Sequence, residues 1–309
     1  MKYSIITNCT SRKRNIGIDA VMPHLDADVS FEASISDWFE RIQKCSIRVA
    51  PLDLYQGRSI AESRLASRLI GADLFVLSAG LGLVPTSALI PNYSLTIAAG
   101  TGSIENWLRS KRRNSTDWWN GLCSALGIPY PISSMVNQSG KNDRVLIALP
   151  ARYVEMIACD LDLIDKDRHE NIRIFTSSAG AEKVPYQHRP VVMPYDERLE
   201  GIVNHNGTRS DFPQRALKHF VAQLNAQQLS LQDARDQVNG VMKEANKRSN
   251  PLRVRASDDQ IQNLIVANWK AQGGSASKLL RFLRDDAKVS CEQSRFSGIW
   301  RRVLTQQSR

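Results

Sequence analysis

Four short apolar runs stand out from a mixed chain, and each ends in small or polar residues. They fall at residues 3–7 (YSIIT), 74–77 (LFVL), 144–149 (RVLIAL) and 172–176 (IRIFT). Continuous apolar runs of this length predict strands covered on both faces. Helical patterns lie between them. Residues 60–70 place Ile60, Ala61, Leu65, Ala66, Leu69 and Ile70 on one expected face, closed by Gly71. Residues 36–45 read as a helix with Ser36 as N-cap and Glu40 in its first turn, and 104–126 and 151–161 read as helical too. The stretch after Ser78 reads as a long glycine- and proline-punctuated loop up to residue 97. Alternation of this kind predicts a three-layer α/β domain on a parallel sheet. Residues 185–207 are loop-rich, with 191–193 a candidate edge strand. Asp211 is the expected cap of a helix from Pro213 to Leu224, with proline in the first turn, and Ser230 opens another running to Lys247.

The remaining tail has a different pattern. Ser257 opens a helix that Gly273 and Gly274 stop; Ser275 caps a second over 276–284; a turn leads to a third over 292–304. The 309 residues therefore divide into an α/β domain (1–210), a helical segment (211–250) that is a connector or the outer wall of the first domain, and a small trihelical domain (251–309). Charge sharpens this division. Of a net charge of +10, residues 251–309 carry +6, from eleven basic and five acidic side chains. Helix, turn and helix with a basic last member is the outline of a helix-turn-helix, although such units also bind proteins. Lys278, Arg281, Arg295, Arg301 and Arg302 are the expected DNA contacts.

Composition narrows the chemistry. No run reaches the length of a membrane span, and the first residues turn polar too early for a signal peptide, so a cytoplasmic protein without membrane contact is expected. Five scattered cysteines with no CxxC pair, and five dispersed histidines, suggest neither a disulfide framework nor a metal site. The chain contains no G-x-G-x-x-G, no G-x-x-x-x-G-K-[ST] and no G-x-S-x-G, so no nucleotide cofactor is expected.

Candidate site residues follow from position. The carboxyl ends of parallel strands are where ligands bind, which singles out Asn8 and Thr10 after the first run and Ser78, Ala79 and Gly80 after the second. Arg12, Lys13 and Arg14 follow as candidate phosphate contacts. Asp53 and Tyr55 alternate with Leu52 and Leu54, so in an extended segment they would share a face, Asp53 to activate water. A helix-cap aspartate and a core tyrosine would give the same pattern. Asn92 and Tyr93 return toward the same edge, and Arg152 and Tyr153 follow the third run. Trp107, Trp118 and Trp119 near Lys111-Arg-Arg suit a nucleic-acid surface, and equally a packed layer beneath a basic loop.

The segments Asn8-Cys-Thr-Ser-Arg-Lys, Leu54-Tyr-Gln-Gly, Gly71-Ala-Asp-Leu-Phe-Val-Leu-Ser-Ala-Gly-Leu-Gly-Leu-Val and Pro91-Asn-Tyr-Ser-Leu-Thr resemble the bacterial restriction DNA glycosylase family of antiphage defence. That family is similar in fold to the uracil-DNA glycosylase superfamily. The resemblance covers mainly residues 1–100, more loosely 144–200, and none of the tail. It implies a metal-independent N-glycosidase that flips out and excises a modified base, glucosylated hydroxymethylcytosine, from phage DNA. It also implies roles. Asn8 matches the first glycosylase motif and would orient water, with Asp53 or Asp196 supplying negative charge. Tyr55 and Tyr93 would stack on or bound the base, while Ser78 and the backbone at Ala79 and Gly80 would donate to it. The histidine-bearing second motif of classical uracil glycosylases is missing, and Arg152 or Tyr153 stands as its substitute. Two other functions fit the same residues: hydrolysis of a free nucleoside or small N-glycoside, and ligand-sensing regulation by a non-catalytic DNA-binding protein.

Overall fold

The computed structural model describes residues 1–17, 20–26, 28–98, 100, 102–245 and 253–307. It divides into two compact units, Met1–Lys247 and Arg248–Arg309.

Five strands make the sheet of the first unit: β1 (Tyr3–Asn8), β2 (Asp73–Ser78), β3 (Gly82–Pro85), β4 (Arg144–Ala148) and β5 (Ile172–Phe175). Their order is β3-β2-β1-β4-β5. Ile5 pairs with Leu74 on one side and Leu146 on the other, and Val145 with Ile172, all in parallel register. The wholly parallel reading is corrected at one edge. β3 runs antiparallel to β2, with Ser78 opposite Gly82, so the expected loop begins as a hairpin. Only Leu83 and Val84 are apolar between a glycine and a proline, too short a run to stand out.

Side-chain alternation along the strands divides the core into two layers. Ile6, Val145, Ile147, Ile172 and Ile174 pack toward one face with Trp38, Trp118 and Trp119; Ile5, Leu146, Ala148 and Phe175 pack toward the other with Phe212, Leu217 and Phe220. The arrangement is helix, sheet, helix. Trp38, Trp118 and Trp119 are almost wholly buried, and truncating such a side chain costs about 3–5 kcal/mol. The tryptophans therefore belong to the packed layer, not to an exposed surface.

Several local expectations are revised. The first helix is Phe31–Lys44, capped by Ser30, which accepts from Ala33 N at 3.1 Å; Ser36 lies inside it and donates back to the Glu32 carbonyl at 3.2 Å. Residues 51–54 are not extended: Pro51–Leu54 is one helical turn started by proline, and the chain becomes extended only at Tyr55. The Arg58–Ile70 helix ends on Gly71 in the left-handed region as expected, but it is rotated. Leu65 and Leu69 are exposed, while Ser59, Ile60, Glu62, Ser63 and Ala66 are buried. Ser63 donates to Thr7 of β1 at 2.9 Å, so polar contacts to the sheet end set the inward face. The 104–126 pattern is two helices, Glu105–Ser110 and Ser115–Ala125, the second opened by a capping box between Asn114 and Asp117. Pro131–Asn137 adds a helix. Val191–Met193 is no strand; Val192 makes a single parallel bridge to Ile174, and Met193 N donates to the Ile174 carbonyl at 2.8 Å.

The segment 211–250 is wall rather than connector. Phe212–Ala222 lies against the Arg58–Ile70 helix and the sheet, and Ala234, Val238 and Met242 of Leu231–Glu244 join the same core. The expected end of that last helix, beyond residue 245, lies outside the described residues, as does the 247–251 boundary segment.

The second unit folds Asp258–Asn268, Ala276–Asp285 and Gln293–Gln307 around Ile261, Ile265, Leu279, Leu283, Phe296, Ile299 and Val303. Ser257 and Gln260 form a capping box, whereas Ser275 makes no side-chain cap. Val254–Arg255 and Val289–Ser290 pair as a two-stranded parallel ribbon. The connections 269–275 and 286–292 exceed the three- to four-residue turn of a helix-turn-helix. Among the described residues, no helix is long and apolar enough to cross a membrane.

Candidate functional site

β1 sits between β2 and β4, so the chain leaves its carboxyl end in opposite directions on its two sides. That is the switch point at which open α/β sheets form a crevice. A cavity of about 1150 Å³ opens there, lined by the loop after β1 (Asn8 through Asn15), Pro150 through Tyr153 after β4, Ser177 after β5, the segment around Asn92 and Tyr93, Gln56 through Ser59, and Thr208 through Asp211.

Asn8 is buried at its floor. Its Nδ2 donates to the Cys9 carbonyl at 2.7 Å and its Oδ1 accepts from Gln214 Nε2 at 2.9 Å. An amide has two N–H groups and two acceptor sites, so each end retains one for a ligand or water. Gln214, fully buried, also donates to the Ala148 carbonyl at 2.8 Å and reaches Thr7 Oγ1 at 3.2 Å, tying the ends of β1 and β4 to one helix. Thr10 bridges inward, its hydroxyl directed to the Arg12 and Gln56 carbonyls at 2.9 and 2.8 Å.

Behind this floor runs a chain of hydroxyls. Tyr55 Oη and Tyr93 Oη are 2.6 Å apart, and Ser78 Oγ lies 2.6 Å from Tyr93 Oη. Burial pushes both phenols well above the ordinary tyrosine range, so they are neutral. Tyr93 lines the cavity, while Tyr55, Ser78 and Gly80 lie behind it. The Gly80 and Leu81 N–H groups both donate to Ser78 Oγ, at 3.1 and 3.0 Å. Trp38 and Trp118 donate to the Gly80 and Ala79 carbonyls, each at 2.7 Å. A Cβ on Gly80 would stand 2.8 Å from the Tyr93 ring. The turn after β2 is thus a packed back wall and does not present the expected donors to the cavity. Nor does Tyr55 offer a stacking face, because its ring meets Tyr93 edge-on inside the core.

Cys9 and Tyr153 complete the floor, with Sγ and Oη 3.1 Å apart. Lys13 folds in beside them. Its Nζ hydrogen-bonds the Tyr93 carbonyl and lies 3.5 Å from the centre of the Tyr93 ring. Desolvation lowers its pKa to about 8, opposed by Cys9 nearby. It is not the exposed phosphate contact expected from its neighbours.

The rim is cationic. Arg12, Arg14, Arg58, Arg152 and Arg209 line it and are exposed. Arg58 pairs with Glu62 at 3.0 Å and Arg152 with Glu105 at 3.0 Å; Arg12, Arg14 and Arg209 have no ion-pair partner among the described residues. Asp211 is the one acid among the described lining residues. Its Oδ1 accepts from Arg215 Nε at 2.7 Å and from Thr208 N at 2.9 Å, so it belongs to the turn before the Phe212–Ala222 helix and makes no side-chain cap for that helix.

The two aspartates expected to serve catalysis are elsewhere. Asp53 is exposed on the Pro51–Leu54 turn, and Asp196 caps the short helix Glu197–Gly201 and grips Arg198 at 2.6 Å; neither lines the cavity. Cys9, Gln214, Asp211, Arg58 and Arg209 are the lining or supporting residues that sequence reasoning passed over. Gln214 had one signal, a polar residue beside Phe212, Ala216 and Leu217 on an otherwise apolar helix face.

In the second unit, Arg295 and Arg302 both pair with Asp258, at 2.7 and 3.4 Å. Lys278, Arg281 and Arg301 are exposed and have no ion-pair partner among the described residues. Among the described residues, no three His, Cys, Asp or Glu side chains gather in a metal-binding cluster. Compared with protein-family models, curated proteins and solved structures, the chain matches none.

Proposed function

We infer that the first unit is a DNA base N-glycosidase that draws a flipped nucleotide into the cavity between β1 and β4, and that the second unit adds backbone contacts through Lys278, Arg281 and Arg301. The observation that carries this reading is the layering of the cavity: arginines at the mouth, and amide, hydroxyl and thiol groups, with the Lys13 amine beside them, at the floor. A polyanionic backbone with an uncharged, polar base at its end has the same layering. The volume, about 1150 Å³, exceeds the ~300–1,000 Å³ of common small-ligand sites and suits a base that itself carries a sugar. The uracil-glycosylase-like architecture and the antiphage role come with the family resemblance, and the DNA-binding role of the tail with its three-helix pattern and basic charge; all form part of this proposal.

Glycosidic cleavage needs water at C1′, charge to stabilise an oxocarbenium-like sugar, and a proton donor or dipole for the leaving base. Asn8, held at both ends of its amide, positions the water. Asp211 replaces Asp53 and Asp196 as the source of negative charge, since it lines the cavity and both its hydrogen bonds fall on Oδ1. Tyr153 and Arg152 attend the departing base.

The test is incubation of the protein with phage DNA carrying glucosylated hydroxymethylcytosine and with unmodified DNA, followed by mass spectrometry of released bases and an abasic-site assay. Release from the modified DNA alone is expected, with Asn8→Ala slowed at least about a hundredfold, the range for removing one positioned transition-state contact. Release from free nucleosides but never from DNA would replace this reading by a small-molecule hydrolase. Binding of DNA without release of any base would replace it by a regulator.

A further inference from the structure

One cation of the cavity is held unlike the others. The five lining arginines are exposed at the mouth, whereas Lys13 is half-buried, its Nζ over the Tyr93 ring, 5.8 Å from the centre of the Tyr55 ring and hydrogen-bonded to the Tyr93 carbonyl. No carboxylate pairs with it among the described residues. A lysine that serves a phosphate keeps its ammonium in water or beside an acid; here two rings and a carbonyl have replaced water. The titratable groups that face it are Cys9 on its own loop, Tyr55 after the Pro51–Leu54 turn and Tyr93 on the returning segment, and burial keeps both phenols neutral. With its pKa lowered to about 8, roughly a tenth of the side chain is free amine at pH 7. A desolvated amine in a cavity is the ordinary nucleophile for a carbonyl carbon.

We propose that Lys13 is an amine nucleophile for the open-chain aldehyde of an abasic deoxyribose, so that the cavity forms a reversible covalent bond to the DNA from which a base has been lost. The choice of aldehyde rests on the glycosidase reading; the placement of the amine does not. The ammonium first gives its proton to solvent. The Nζ lone pair then adds to C1′, forming a carbinolamine, and loss of the hydroxyl group as water leaves a C1′=Nζ imine. Addition of water reverses both steps and returns amine and aldehyde. Nothing is oxidised or reduced.

The experiment uses the full chain and a duplex with a single abasic site, prepared by removing uracil from DNA, in the presence of sodium cyanoborohydride, which converts the imine to a stable secondary amine. The expected result is a protein–DNA adduct that survives denaturing electrophoresis, with the sugar mapped to Lys13 by peptide mass spectrometry. Lys13→Arg, which keeps the charge but forms no imine, is expected to lower the adduct at least tenfold while its circular dichroism matches the parent. No adduct from the parent protein, an adduct mapped to another amine, or one undiminished in a folded Lys13→Arg would overturn the proposal. Mapping on the parent decides the matter by itself if the variant does not fold. Because this DNA carries no modified base to remove, the two readings fail separately: base release from the modified phage DNA without adduct here sinks the covalent step alone, and adduct here without that release sinks the excision step alone.

Discussion

Among the described residues around the cavity of the first unit, five arginines share the mouth with one acid, Asp211, whose bound oxygen already belongs to Arg215. In the second unit, Asp258 takes both Arg295 and Arg302, Asp285 takes Arg253 at 3.1 Å, and Arg284 donates to the Cys291 carbonyl at 2.8 Å. Two of the five mouth arginines are paired as well, Arg58 with Glu62 and Arg152 with Glu105. Pairing thus thins the cations of both regions, and the tail, with +6 of the net +10, keeps Lys278, Arg281 and Arg301 without an ion-pair partner among the described residues. A cation paired within its own fold has part of its field cancelled before any partner arrives. Net charge along a sequence therefore marks where a polyanion could bind, and pairing geometry decides how much of that charge remains for it.

The largest expected effect separates buried from exposed pairs. Arg215 is fully buried and holds Asp211, the Thr208 carbonyl at 2.8 Å and the His205 carbonyl. Arg215→Ala should cost about 3–5 kcal/mol, since it leaves Asp211 buried without its partner. Arg295→Ala, at an exposed pair, should cost less than about 1 kcal/mol. Urea denaturation measures both, and equal losses would dissolve the contrast.

Next comes acid. His219 is buried beneath the sheet, hydrogen-bonded to the Tyr195 hydroxyl at 2.8 Å and edge-on to His205, and desolvation, with His205 adding, lowers its pKa to about 4. The folded-state value lies below the unfolded one, so the unfolded chain takes up the proton first. The first unit should keep this stability above about pH 6.5 and lose up to about 3 kcal/mol as pH falls through 4. The second unit contains no histidine and should not share the step. Denaturation midpoints at pH 7 and 4.5 that coincide would count against it.

Smaller effects concern DNA. Arg12→Gln and Arg14→Gln should each flatten the slope of log affinity against log salt by up to about 0.9, as should Gln at Lys278, Arg281 or Arg301. Arg295→Gln and Arg302→Gln should flatten it less, because Asp258 already faces both. The smallest change is Asp53→Asn: exposed and outside the cavity, it should leave base release within about twofold of the parent.

The sheet was legible because its strands are apolar on both faces, and the end of the Arg58–Ile70 helix because Gly71 takes the left-handed conformation that glycine favours. The site was legible by position, which brought Asn8, Thr10, Asn92, Arg152 and Tyr153 to one cavity. What the pattern hid had specific causes. Ser63 faces inward because it bonds to Thr7 near the end of β1, and Glu62 because it pairs with Arg58 and with Lys218 of the Phe212–Ala222 helix, so hydrophobicity pointed to the wrong side of their helix. Gln214 and Asp211 act on residues more than sixty or two hundred positions away, or through Arg215 one turn on, and spacing along the chain carries no trace of such contacts. Asp53 misled because a proline-started turn and a short strand share the alternation of Leu52 and Leu54.

The antiparallel strand at one border of the sheet bears on how the protein behaves when crowded. An open sheet edge is a template on which another chain can pair. β3 is only four residues long and ends in Pro85, which has no N–H to extend a ladder. At the opposite border, Val192 and Met193 cover β5, and the buried Arg173 guanidinium takes the carbonyls of Glu170 and Ile172. With one border short and ended by proline and the other covered, the sheet offers little purchase for edge-to-edge aggregation.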